Sequence, residues 1–316
     1  MERMTKSGFL LAITLLAPTI LSAQQEGPVP TQAIVTVDSK HPSKLTIQTT
    51  KLKVNGHETE LASLTQIPSN GVQVALLIDD GLRSSVGRQI GDLKSFITGL
   101  PAGTEIFVGY MQNGRVVSAQ GFTTDHAAAA QNLRIPLGSP GASASPYFCL
   151  SDFVQKWPSS ESAPKARFVM MLTNGVDPYN GSVDPTNQSS TYVDNAVRDA
   201  QRAGVPVYSI YYGDAGYRGQ NASFSGQSYL AQVAEGTGGR AYFQGSGNPV
   251  SLTPFLTQFT KSIAESYVAT FNAIARSNNL VDLRISTNLS GTKLRAPQRV
   301  RPGTRISASG QLAVTP

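Results

Sequence analysis

Cysteine is nearly absent from this chain: Cys149 stands alone among 316 residues. One thiol closes no internal disulfide, so the folded state must rest on packing. Cys149 lies between apolar neighbours in "PYFCLSDFVQKW", where a buried small hydrophobe is expected rather than a reactive thiol. Histidine is scarce as well. His41, His57 and His126 sit in separate polar stretches, without HExxH spacing or cysteine companions, which argues against zinc and for solvent-facing roles. No GxSxG elbow, Walker loop or GxGxxG pattern occurs. "GTGG" at 236–239 falls between a helical and a strand pattern, where glycines serve as a C-cap and a tight turn.

Long apolar runs are few too. Residues 1–23, "MERMTKSGFLLAITLLAPTILSA", place Arg3 and Lys6 before an apolar stretch from Gly8 to Leu21 that Pro18 interrupts, and end on Ser22 and Ala23. That order is the order of a secretory signal peptide cleaved near Ala23. A membrane anchor would need about 18 to 20 apolar residues. No later segment is long and apolar enough to span a bilayer, so the mature chain is expected to be secreted or periplasmic, with no transmembrane segment. The formal charge of +6 is also unevenly spread. Residues 276–316 hold seven Lys or Arg against one acid, Asp282, and residues 1–23 add one positive charge, so residues 24–275 carry a net −1. Cations in "KLRAPQRVRPGTR" follow strand alternation, which suits the polar face of solvated strands; contact with an anionic envelope surface is the alternative, and no nucleic acid is expected.

What is present is a change of period along the chain. Residues 24–30 read as a Pro and Gln linker, and 33–66 as short alternating strands with a type I′ hairpin signal at Asn55 and Gly56. From Val72, apolar strands ("VQVALLI", "TEIFVGYM", "GRVVSAQGF", "RFVMMLT", "VPVYSIYYG", "RAYF") alternate with amphipathic helices. One helical stripe runs through Leu252, Phe255, Leu256, Phe259, Ile263 and Tyr267. The expected fold is α/β: a doubly wound, mainly parallel sheet with helices on both faces, plus a small accessory β domain from the N- and C-terminal segments. The expected units are 1–23, the signal peptide; 24–70, an N-terminal β segment; 71–272, the α/β domain; and 273–316, a C-terminal β segment.

In such a sheet, polar residues following successive strands converge on one crevice. That edge gathers Asp79, Asp80, Gly81, Arg83, Ser84 and Ser85 from "VALLIDDGLRSS", Asn174 and Asp177 from "LTNGVDPY", and Asp214 after "VYSIYYG". The loop "GSPGASASP" adds Ser143 and Ser145. Acids and hydroxyls without histidine form a hard-oxygen environment, suited to Mg or Ca. Polar loops at 178–190 and 213–227 flank the same edge, while Trp157, Tyr211 and Tyr212 read as packing residues.

Over roughly residues 70–270 the chain resembles the von Willebrand factor type A family. The matching stretches are "VALLIDD", "LTNGVDPY", "AGVPVYSIYYG" and, most specifically, "LAQVAEGTGGRAYF". With its leader and flanking β elements the whole resembles secreted bacterial members. The resemblance implies a doubly wound sheet and a metal-ion-dependent adhesion site built from DxSxS, a loop threonine and the Asp of "TDG". Here Asp79 keeps the first carboxylate, but Gly81 and Arg83 stand at the serines, Asn174 at the "TDG" aspartate, and Ser143 or Ser145 where the threonine belongs. Starting from Asp80 instead restores Ser84 and puts Leu82 at the other serine. The expectation is therefore a degenerate site with no metal, in a non-catalytic module that binds a protein partner through this edge. Arg83 either replaces the ion as countercharge to Asp79 or Asp80, or points to water while Asp79 accepts backbone N–H groups. The alternative is a metal-dependent adhesion protein or hydrolase using Asp79, Asp80 and Asp177 around Mg or Ca.

Overall fold

The computed structural model describes residues 27–39, 44–139, 141–158, 164–180, 189–213, 219–245, 247–275 and 279–306. The leader expected at 1–23 and His41 lie outside them. The chain begins with strands β1 (Gly27–Ser39), β2 (Thr50–Val54), β3 (His57–Thr59) and β4 (Leu61–Gln66). The α/β unit follows: β5 (Val72–Asp79), α1 (Ile90–Thr98), β6 (Glu105–Gln112), β7 (Arg115–Thr123), α2 (His126–Gln131), α3 (Pro146–Gln155) and β8 (Ala166–Thr173). It continues through α4 (Thr191–Ala203), β9 (Val207–Tyr211), α5 (Gly219–Thr237), β10 (Ala241–Tyr242) and α6 (Thr253–Ala264). Strands β11 (Ser266–Ala275), β12 (Val281–Thr287), β13 (Thr292–Arg295) and β14 (Arg299–Val300) close the chain.

The central sheet has the order β10-β9-β8-β5-β6-β7, parallel except for the antiparallel edge strand β7. All eight residues of β5 are buried, as expected for a parallel strand covered on both faces. Strand alternation divides its side chains between two cores. Val74, Leu76 and Ile78 pack with Phe96 of α1 and Phe259 of α6. Ala75 and Leu77 pack with Leu150 of α3, Val193 of α4 and Val233 of α5. The helices begin and end as their sequences prescribe. Ser190 accepts from the N–H groups of Tyr192 and Val193 at the start of α4, and Gly204, at φ 67°, closes it. Gly238, at φ 83°, follows α5, and Gly239 lies so close to the Val207 carbonyl that any Cβ would overlap it, which accounts for "GTGG" as a turn.

Two further sheets, β13-β1-β11-β4 and β14-β12-β2-β3, are built jointly from the two ends of the chain and form the accessory β unit. Ala33, Val35, Tyr267, Ala269, Phe271 and Leu283 belong to its core. Asn55 and Gly56, at φ 49° and 82°, make the hairpin turn between β2 and β3.

Two boundaries differ from the sequence reading. Residues 27–30, read as linker, are strand, pairing with β11 from Gly27↔Ala275 onward. Pro28 and Pro30 are tolerated because N–H groups at even positions of β1 face away from β11, as the Gln32 N–H does in donating to Thr304 O. Tyr267, placed in the last helical stripe, lies in β11, after α6 has ended at Ala264. Its spacing from Ile263 fits a helix, and "YVATFNA" fits a strand equally well. Pairing of β11 with β1 and β4 decides between them.

Candidate functional site

The chain leaves β5 toward β6 on one side, whereas β8 hands over to β9 on the other, so the carboxyl ends of β5 and β8 frame the switch-point crevice. Asp79 and Asp80 stand there, 3% and 0% exposed. Asp79 Oδ1 accepts from Gly81 N at 2.9 Å and Oδ2 from Thr173 Oγ1 at 2.7 Å, and the Ser143 hydroxyl also bonds to this carboxylate. Burial raises the Asp79 pKa; the three hydrogen bonds oppose it and the neighbouring Asp80 charge adds to it.

Asp80 has different company. Arg134 grips it with both guanidinium nitrogens, Nη1 to Oδ1 at 2.6 Å and Nη2 to Oδ2 at 2.9 Å. Leu137 N donates to Oδ1 at 2.9 Å, and Gln112 Nε2 donates to Oδ2. Burial would raise the Asp80 pKa, but these hydrogen bonds and the Arg134 charge outweigh it and hold the carboxyl below its ordinary range. Arg134 is itself positioned: its guanidinium carbon lies 3.7 Å from the Tyr110 ring centroid, and the Tyr110 hydroxyl donates to Arg134 O at 2.6 Å.

The countercharge to Asp80 is thus Arg134, and not Arg83 as one reading of the sequence held. Arg83 is exposed at the entrance of a 3-10 turn, Ser84–Gln89, whose first residue Ser84 is exposed and whose second, Ser85, is half-buried. Gly81 is buried, and a Cβ there would lie 3.2 Å from both Asp79 Oδ1 and Ser139 O and 3.5 Å from Ala142 N, so these atoms occupy the space of a side chain. Ser143 joins the Asp79 cluster, but Ser145 caps α3 by accepting from Tyr147 N. Asn174 Oδ1 turns back to Val176 N at 3.0 Å. Asp177 accepts from Tyr179 N and from Ser190 Oγ, tying its loop to the start of α4. Asp214 lies outside the described residues. The fold therefore assembles Asp79, Gly81 and Ser143, and places Asn174 and Asp177 in local turns.

Four contributors escaped the sequence reading: Thr173, Arg134, Gln112 and Tyr110. Thr173 carried a usable signal as the last residue of "RFVMMLT", level with Asp79 on the adjacent strand. Arg134 carried none, lying in a segment without periodicity. Among the described residues, no three His, Cys, Asp or Glu side chains gather in one place. His126 is not solvated as expected, since its Nε2 lies 2.7 Å from Thr104 O. Cys149 is buried, with Sγ donating to Ser143 O, and burial pushes its thiol pKa well up.

Apolar side chains border this edge. Ile135 and Leu137 are 50% and 68% exposed on one flank. On the other, Phe148 meets Tyr179 at 5.2 Å and Tyr192 at 4.8 Å between ring centroids, and both tyrosines are solvent-exposed.

Fold and site together define a doubly wound α/β domain with paired carboxylates at its switch point and an accessory β unit made from both chain ends. No family model matches the chain, and no curated protein matches it. Solved structures do. The chain is similar to BatB from Bacteroides thetaiotaomicron, a conserved hypothetical protein, at 12% identity and TM-score 0.40, over 61% of this chain and 97% of that one. It is similar to von Willebrand factor type A from Catenulispora acidiphila at 11% identity and TM-score 0.41, over 88% and 75%. It is also similar to manganese-loaded TRAP protein from Plasmodium vivax at 13% identity and TM-score 0.42, over 75% and 96%. No helix among the described residues is long and apolar enough to cross a membrane.

Proposed function

We propose that this chain is an exported, non-catalytic binding protein of the von Willebrand factor type A kind, which recognises a protein partner through the carboxyl edge of its central sheet without a bridging cation. The observation that carries this reading is the bidentate pairing of Asp80 with Arg134. A fixed guanidinium occupies one carboxylate, and the other spends its oxygens on Gly81, Thr173 and Ser143. Mg and Ca favour charged carboxylate oxygens beside their bound waters, and here one carboxylate is already neutralised by a guanidinium while the other is engaged by three donors. Asp79, 3% exposed, is also poorly placed to reach a substrate atom. Exposed Ile135, Leu137, Tyr179 and Tyr192 supply the kind of apolar and aromatic surface on which partner proteins dock.

Titration calorimetry with Mg, Mn and Ca tests the cation-free reading. No saturable heat is expected, and the thermal midpoint should be the same in chelator. Saturable micromolar binding that disappears in Asp79→Ala would overturn it. Export by residues 1–23 should yield a product beginning near Gln24, read by terminal sequencing; an intact amino terminus on the exported chain counts against it.

A further inference from the structure

A second polar cluster lies where β1, β10, β13 and α6 meet. Asp38 of β1 faces two arginines: Arg240 Nη2 is 2.5 Å from Asp38 Oδ2, and Arg295 Nε is 3.5 Å from the same oxygen. Lys261 of α6 adds a third cation beside them, bonded to Ser39 O at 3.0 Å and 3.8 Å from Glu265. Three cations against Asp38 and Glu265 leave the seam with net positive charge.

Its hydrogen bonding is also incomplete. The Arg295 guanidinium donates through Nη1 to Gly239 O at 3.4 Å and through Nη2 to Asp38 Oδ2 at 3.5 Å, but its buried Nε makes no hydrogen bond among the described residues. The Tyr242 hydroxyl, on a residue 4% exposed, makes no well-aligned hydrogen bond among the described residues, although the Ser262 hydroxyl interacts with it. Nearby, Tyr208 Oη lies 3.4 Å from Thr36 Oγ1, which in turn is 3.0 Å from Ser266 Oγ. Burial raises the pKa of both tyrosines while Arg240 and Arg295 act in the opposite sense, so both phenols lie within the field of both guanidiniums. A buried polar group left without a partner is costly, and native structures rarely leave one so. Here both unfilled groups are hydrogen donors in a positive field. The partner they call for is an acceptor carrying negative charge.

We propose that this seam is a binding site for a small free oxyanion of the phosphate or sulfate class, held by Arg295 Nε, the Arg240 guanidinium and the Tyr242 hydroxyl. The side chains of Arg240 and Arg295 are each 31% exposed, so the site is open enough for an ion to enter and closed enough to hold it. Arg295 and Asp38 come from the accessory unit, and Arg240 and Tyr242 from the central domain. A bound ion would bolt the two together.

The test is a titration of the full chain with inorganic phosphate at constant ionic strength, followed by thermal unfolding and by the Nε resonances of arginine. A rise in midpoint that saturates in the millimolar range is expected, with about tenfold weaker binding in Arg295→Gln and a clear weakening in Tyr242→Phe. Arg301→Gln, at an exposed position, should bind as the parent does. A rise that never saturates reflects general exclusion of phosphate from protein surface, and it would refute the site. Equal binding by parent and Tyr242→Phe, a variant that keeps its ring packing, refutes it too, even where Arg295→Gln fails to fold. Phosphatidylglycerol vesicles should leave the Arg295 resonance unmoved; a vesicle response lost in Arg295→Gln would assign the site to a lipid headgroup and overturn the free ion.

Discussion

At the amino ends of β5 and β6, Glu105 is held by Gln73 Nε2 at 2.7 Å and by Lys165 Nζ at 2.6 Å, while Trp157 Nε1 donates to Gln73 Oε1 at 2.8 Å. At the carboxyl ends, Asp80 is held by Arg134, Gln112 and the backbone of Leu137. Each end of one sheet therefore buries a carboxylate against a cation. The amino-end partners Gln73 and Glu105 sit opposite each other in the ladder, and the Lys165 side chain is only 17% exposed. The carboxyl-end cation comes from a loop and remains 39% exposed. The first arrangement is largely shielded from solvent. The second turns one face of its ion pair toward solvent, beside exposed Leu137.

The sharpest way to break this comparison is to remove Arg134. Arg134→Ala strands the fully buried Asp80, and a loss of about 3 kcal/mol is expected, at the low end for a broken buried pair because the guanidinium is partly solvated. Arg83→Ala removes an exposed side chain and should change stability by less than about 1 kcal/mol. Urea unfolding of both variants reads the contrast, and equal losses would restore the alternative in which Arg83 serves as a countercharge at this edge. At the amino end, Trp157→Phe keeps the stacking on Phe122 but deletes the donor to Gln73, costing about 1–2 kcal/mol with no change at the carboxyl edge. A smaller loss would mean that water replaces the indole N–H.

The third effect appears in slope. Asp79 has its pKa raised above the ordinary 3.8, so the stability it contributes is fully present below that value and is lost as pH rises through the folded-state value. Asp80, lowered, contributes stability above 3.8 that is lost as pH falls through its folded-state value. In Asp79→Asn the first dependence vanishes. Relative to the parent, the variant should therefore gain stability from about pH 4 upward and level off once Asp79 is ionised in the folded parent. Parallel curves for the two proteins between pH 4 and 8 would show that Asp79 is not penalised by its burial.

The central sheet was readable because short apolar runs such as "VALLI" and "FVMML" alternate with longer amphipathic helical stretches, which suits strands covered on both faces. Periodicity failed where one residue satisfied two periods, as Tyr267 does, and where prolines disguised the start of β1. The site was readable only as far as strand ends carry it. Asp79, Asp80 and Ser143 follow from where strands stop and loops return. Arg134 could not be found that way, because its position depends on the path of an irregular loop and on the Tyr110 ring that it covers. A single sequence holds no periodic trace of such a contact.

Strands β1 and β11 pair over ten positions, from Gly27↔Ala275 to Thr36↔Ser266. Ile34 and Val268 face the core beneath the central sheet, while Ala33, Val35, Tyr267 and Ala269 face the accessory core. The two hydrophobic interiors thus have a party wall in common. Melting either one exposes the back of the other, so the molecule should lose its order in a single cooperative step, and neither half is free to be cut away and kept.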